Sequence, residues 1–147
     1  AYLPEIPDDI ASQQVAVLHP CLVVPRERAA SGDRAPPLRR LHDLPFLSYP
    51  LGTRPYALQM QALAEQGHAP SETISLDTAD AILGYVESGL GWSLVPSLDP
   101  AGPAGRRLAA YAWGRPRTTF PVVLAWRKDT PEHPLLDALI ACAPTLA

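Results

Sequence analysis

The side chains able to do covalent or metal chemistry are few in this chain and stand far apart. Four histidines (His19, His42, His68, His133) and two cysteines (Cys21, Cys142) are the soft ligands available. A zinc site needs such residues at short, repeated spacings. The six show no such repeated ligand spacing, so no metal ligand is expected. The phosphate-cradling pattern GxxxxGK[ST] and the dinucleotide pattern GxGxxG are both missing. A serine hydrolase of the elbow type would show GxSxG, and Ser48 and Ser93 lie outside any such context. A triad would have to join His42 or His68 to a distant aspartate, and no spacing marks one. The reading is therefore no catalytic residue, no metal and no cofactor.

Non-covalent binding is better motivated. A helix start exposes unpaired N–H groups and a partial positive charge, which together suit an anion. Thr53, Arg54 and Pro55 open one predicted helix just after Ser48. Its first turn holds no acidic residue, so its N–H groups are expected to be free. Arg54 could grip a carboxylate in a forked geometry, or equally be a solvated surface cation. Asp77 and Thr78 open a second helix. Their simplest role is capping, and a ligand role would run through the Thr78 hydroxyl, since Asp77 and Asp80 repel an anion. Trp92 follows Gly91 and suits core packing, with a stacking platform as the alternative.

These residues depend on elements that can be read from pattern. Residues 1–12, with Pro4, Pro7, Asp8 and Asp9, read as an extended lead-in. Val15–Leu18 and Leu22–Val24 read as strands broken at His19-Pro20, because proline cannot donate to a ladder. Phe46–Tyr49 and Thr73–Leu76 are further strands. Leu38–Leu41 suits one helical turn. Pro55 fits the first helical position, Leu58, Ala62 and Leu63 repeat at helical spacing, and Gly67 closes that helix. Ala79, Ile82, Leu83 and Val86 give a second apolar face, ended by Gly89 in the left-handed position. Trp92–Val95 is then a buried strand closed by Pro96. Leu108–Trp113 and Phe120–Trp126 are two more strands, with Gly114 and Pro116 between them. Pro134 starts a last helix with Leu135, Leu136, Leu139 and Ile140 on one face. Alternating strands and helices predict an α/β fold with a mostly parallel sheet covered by helices. Right-handed crossovers place the loops 50–55 and 76–78 at one sheet edge.

Composition supports one folded unit of ordinary size: 147 residues, 47% of them hydrophobic. Net charge is −3 and the 12 basic residues are scattered, so no basic patch for nucleic acid is visible. No apolar run approaches the roughly 20 residues that span a bilayer. Two separated cysteines in apolar surroundings read as reduced thiols of a cytoplasmic protein. The absence of a signal peptide and the start at Ala1 suggest a piece of a longer protein.

The segment DTADAILGYVESGLGWSLVP, residues 77–96, resembles the middle of the effector-binding domain of LysR-type transcriptional regulators. Three further stretches match that family in the same order: HPCLVVPRER (19–28), DLPFLSYPLGTRPYALQMQALAEQGHAP (43–70) and FPVVLAWRKDTPEHPLLDALIA (120–141). Each motif alone is common; four in one order are specific. The resemblance implies the type 2 periplasmic-binding fold, in which two α/β lobes are joined by two crossing strands and a small effector binds between them. LVVP at 22–25 would be the first crossing and PVVLAWR at 121–127 the second. Residues 1–26 would be the remnant of a first lobe with its crossing strand, 27–121 a nearly complete second lobe, and 122–147 the second crossing strand and a returning helix. The winged helix-turn-helix, the linker helix and the opening of the first lobe would be absent.

That resemblance implies a ligand-sensing domain of a transcription factor, not an enzyme, binding a small anionic effector in the interlobe cleft. The expected effector contacts are Ser48, Thr53, Arg54, Asp77, Thr78 and Trp92. Partners implied are the effector, a second copy in a homodimer or higher oligomer, and DNA only through the helix-turn-helix that this chain lacks, with no membrane. The helix 55–66 and strand 71–76 would meet the partner copy. A solute-binding protein of a transport system, with the same fold, is the alternative.

Overall fold

The computed structural model describes residues 5–32, 34–114 and 119–143. The readings placed on Pro4 and Pro116 lie outside those residues. Backbone contacts divide the chain into two units, His19–Thr118 and Ala1–Leu18 with Thr119–Ala147.

The larger unit has an α/β core. β2 (Phe46–Ser48) and β3 (Thr73–Ser75) run parallel, with Phe46 opposite Thr73 and Ser48 opposite Ser75. β2 also meets Trp92 in the parallel sense, just before β4 (Ser93–Ser97). The sheet continues through the carboxyl half of β1 (Ile10–Pro25), which runs antiparallel to β4 on one side and to β5 (Leu108–Ala112) on the other. Two helices cover the sheet, α1 (Arg54–Glu65) and α2 (Ala79–Glu87).

Alternation of side chains explains why these strands read as unbroken apolar runs. Leu22, Val24, Phe46, Trp92 and Leu94 pack with Leu63 and Met60 of α1. Their chain neighbours Val23, Leu47 and Val95 pack with Ile82, Leu83 and Val86 of α2. Successive residues on a strand point to opposite faces, so a sheet with helices on both sides needs apolar residues at every position.

β1 is one strand, where the sequence predicts two. Pro20 does not break it because it stands opposite Pro96 of β4. Facing residues in an antiparallel pair exchange two hydrogen bonds or none, and two prolines meet at a position that needs none. The Pro20 carbonyl still accepts the Trp113 amide at 2.9 Å. The strand also begins at Ile10, inside the expected lead-in.

Both helices start and stop for local reasons. Thr53 caps α1, which makes Arg54 the first helical residue and moves Pro55 to the second position. The inward face of α1 is Gln59 and Leu63, with Leu58 and Ala62 half-buried. Thr78 caps α2 by accepting the Ala81 amide at 3.1 Å. At the far end Leu90 N–H donates to the Tyr85 carbonyl and Gly89 N–H to that of Val86, both at 3.0 Å. This is a Schellman closure, and Gly89 supplies its left-handed residue at φ 77°.

In the smaller unit, residues 10–18 of β1 pair antiparallel with β6 (Phe120–Arg127), with a register shift between Gln14 and Ala16. α3 (Pro134–Cys142) follows. Leu135 and Leu139 are exposed on it, while Leu136 and Ile140 are half-buried. No helix among the described residues is long and apolar enough to cross a membrane.

Candidate functional site

The candidate site grows from the parallel pair β2 and β3. Because their last residues, Ser48 and Ser75, stand opposite each other, the loops that leave them emerge at one edge. Each loop runs directly into a helix start. Ligands of open α/β sheets bind at this carboxyl edge.

Ser48 is 1% exposed. Its carbonyl accepts the Leu76 amide at 2.9 Å, which ties the two loops together. Its hydroxyl has no hydrogen-bond partner among the described residues. A nearly buried hydroxyl with no partner among the described residues is a ready hydrogen-bonding group for a ligand.

Beyond Ser48 the chain turns at Pro50–Thr53, closed by the Thr53 amide on the Pro50 carbonyl at 3.1 Å. The Thr53 hydroxyl donates to the same carbonyl at 2.7 Å and accepts the Tyr56 amide at 3.4 Å. Pro55 has no N–H, and the Ala57 amide bonds the Thr53 carbonyl. The expectation of free N–H groups in this turn therefore fails at Tyr56 and Ala57. The cap consumes donors that an anion would need. Arg54 is exposed at the first helical position.

At the second helix start Asp77 and Thr78 are both exposed, and the Thr78 oxygen serves as the cap. Asp80, expected to repel an anion, carries a partner that offsets its charge. Arg106, from the loop before β5, forms an ion pair with it and also reaches Glu87 at 3.4 Å. Glu87 further accepts the Arg107 amide at 2.7 Å. That amide, and the Arg106 charge after it, hold the Glu87 carboxyl below the ordinary glutamate range against a desolvation that opposes them.

Trp92 stands at the other end of the strands. It faces Phe46, two residues or about 7 Å of strand from Ser48. It is 1% exposed and packs edge-on against Phe46 and His68, with ring centroids 4.9 and 5.6 Å away. A cavity of about 80 Å³ lies beside it, lined also by His42, Leu44, His68 and Ser71. Five of the six predicted contacts thus share the carboxyl edge, and Trp92 lies at the amino end. Among the described residues no three His, Cys, Asp or Glu side chains gather as metal ligands.

Sequence reasoning missed Gln59 and the part Ser93 plays. Gln59 is 4% exposed, and its Oε1 accepts the Tyr49 amide at 2.9 Å. Its Nε2 donates to the Leu94 carbonyl at 2.9 Å, to Ser93 Oγ at 3.1 Å and to the Leu47 carbonyl at 3.3 Å. Ser93 Oγ donates to the Leu47 carbonyl at 2.6 Å. The available signal was spacing: Gln59 stands four residues before Leu63, on the buried stripe of α1.

Comparison with known proteins adds the following. A family model described as LysR substrate binding domain matches residues 1–146. No curated protein matches the sequence. Among solved structures, full-length CbnR complexed with its target DNA superposes with a TM-score of 0.70 at 19% identity, covering 97% of this chain and 50% of that one. The effector-binding domain of QuiR, in complex with shikimate, gives 0.69 at 19% identity, covering 97% and 67%. The effector-binding domain of BenM, with its effector benzoate, gives 0.63 at 21% identity, covering 94% and 63%. At these identities the likeness establishes the fold, and the chain spans half the length of the CbnR chain it matches.

Proposed function

The chain belongs to the LysR substrate-binding domain family, and on that premise we propose that it is the ligand-sensing part of a transcription regulator, binding a small organic anion at the carboxyl edge of β2 and β3. The observation that supports this best is the Ser48 hydroxyl, nearly buried, unpaired among the described residues and placed at the edge where such sheets hold ligands. Arg54, one helix start away, supplies the charge that a carboxylate needs. The neighbours' ligands, benzoate and shikimate, are both carboxylates, and that shared chemistry is extended here to this chain. Thr53 and Thr78 already cap helices, so their part is to shape the edge, and Asp77 keeps the ligand's charge toward Arg54.

The remaining features of the reading are proposals of the same kind. Residues 27–121 form the effector-binding lobe, with 1–26 and 122–147 belonging to the crossing strands and a first lobe. The chain binds without turnover, as a regulatory domain does, and works in the cytoplasm beside DNA. Operator contact falls to a helix-turn-helix domain outside these 147 residues. A second copy meets the helix 55–66 and strand 71–76; the unpaired outer edge of β3 among the described residues suits that contact. The family match favours this reading over a solute-binding protein of a transport system.

Calorimetric titration of the protein with benzoate and shikimate tests it. Saturable binding that weakens about tenfold in Ser48→Ala or Arg54→Ala is expected, the usual worth of a hydrogen bond to a charged group. Binding that neither change weakens would refute the assignment of this loop.

A further inference from the structure

We infer that Gln59 is the positioning residue of this site: its side-chain amide fixes the loop that presents Ser48 and Arg54, and locks that loop to β4. The inference rests on the ligand reading of that loop given above. Its own evidence is the way β2 and β4 are joined. The two meet at one bridge, Phe46 opposite Trp92, with the Leu47 amide on the Trp92 carbonyl at 2.8 Å. Past that bridge the Leu47 carbonyl is held by side chains, Ser93 Oγ at 2.6 Å and Gln59 Nε2 at 3.3 Å. Gln59 thus takes over where the backbone ladder ends.

The same amide reaches the loop. Tyr49 follows Ser48 directly, and Pro50 after it has no N–H. Pairing with β3 ends at the Ser48 carbonyl. The Tyr49 amide is therefore the last backbone donor before the turn, and Gln59 Oε1 accepts it at 2.9 Å. Gln59 lies in the second turn of the very helix that the loop begins. One buried side chain closes a triangle of helix, loop and sheet, and the loop cannot shift without breaking it.

This position requires an amide. One end must accept an N–H, while the other must donate to the carbonyls of Leu47 and Leu94. Glutamine offers both, an ionised glutamate only acceptors, and leucine neither. Glutamate at this site would press a charge against two carbonyl oxygens. Protonated, it could donate to one of them and still accept from Tyr49. Burial raises a carboxyl pKa toward neutrality. No ionic group is bonded to Gln59, so a pH response between 5.5 and 8 that Gln59→Glu shows and wild type does not belongs to the introduced carboxyl.

The test is titration with benzoate and with shikimate at pH 5.5 and pH 8, on wild type, Gln59→Glu and Ser93→Ala. At pH 8 the Gln59→Glu protein should bind about tenfold or more weakly, and at pH 5.5 it should recover to within about threefold of wild type, which itself changes little. Thermal unfolding of Gln59→Glu at both pH values separates the two roles: a variant that is folded at pH 8 and still binds weakly has lost positioning, whereas a purely structural role weakens binding only where the variant unfolds. Ser93→Ala leaves the amide in place and serves if Gln59→Glu does not fold at pH 8. It should weaken binding about threefold at both pH values. Equal affinities of wild type and both variants at pH 8 overturn the positioning role alone. A wild type that binds neither carboxylate overturns the ligand reading, and this role with it.

Discussion

Gly91 passes so close to Leu47 that a β-carbon built on it would lie 2.7 Å from the Leu47 side chain and 2.8 Å from the Pro45 carbonyl. The approach is what allows Trp92 and Phe46 to form their bridge. Backbone cannot retreat from such a contact, so Gly91→Ala should destabilise the fold by about 3 kcal/mol. At Gly89 the obstacle is Glu27 Oε1 at 2.8 Å, the mobile end of a side chain, with φ at 77°. Gly89→Ala should therefore cost only about 1–2 kcal/mol, mostly backbone strain. Urea unfolding should rank the two in that order; a larger loss for Gly89→Ala would refute this account of the motif.

The clamp of Arg106 and Arg107 on Glu87 makes a pH prediction. The Glu87 carboxyl is held below its ordinary range, chiefly by the Arg107 amide. As pH falls, the unfolded chain protonates this group first. Its contribution is then complete above the ordinary glutamate value and is lost as pH drops through the lowered folded value. Wild type should be more stable than Glu87→Gln at pH 7, and the gap should close on acidification below the ordinary glutamate range. Thermal unfolding against pH reads this directly, and a gap that grows in acid would contradict it.

The two thiols should differ in reactivity. Cys142 is exposed on α3. Cys21 is buried in β1, and burial, with the Asp99 charge adding to it, pushes its thiol up to about 11. Thiolate is the reactive form, so a disulfide reagent at neutral pH should modify one cysteine quickly and the second only in denaturant. Mass mapping that finds Cys21 modified first in the native protein would be the opposite result.

Much of this molecule is legible in the sequence, and the failures have physical causes. The helices over Arg54–Glu65 and Ala79–Glu87 follow from caps, periodicity and terminal glycines, which are local signals. The break expected at Pro20 does not occur because its consequence is set by Pro96, 76 positions away in sequence. Asp80 reads as a charge that repels an anion, and its ion pair with Arg106 comes from another loop. Gln59 is the plainest case. A polar residue on an apolar stripe could be an error of phase or a buried hydrogen-bonding group, and only the positions of Tyr49 and Leu94 decide between them. The loop edge holding Ser48 and Arg54 follows from topology. The consumption of the Tyr56 and Ala57 amides by the cap depends on the turn geometry.

An NMR titration that follows backbone amides while benzoate and then shikimate are added locates the ligand on the sheet. Saturable shifts are expected to concentrate at residues 48–54 and 76–78 and to shrink in Ser48→Ala and Arg54→Ala. Shifts concentrated instead around His42, His68 and Trp92, at the amino end of the strands, would contradict this placement, as would the absence of any saturable shift.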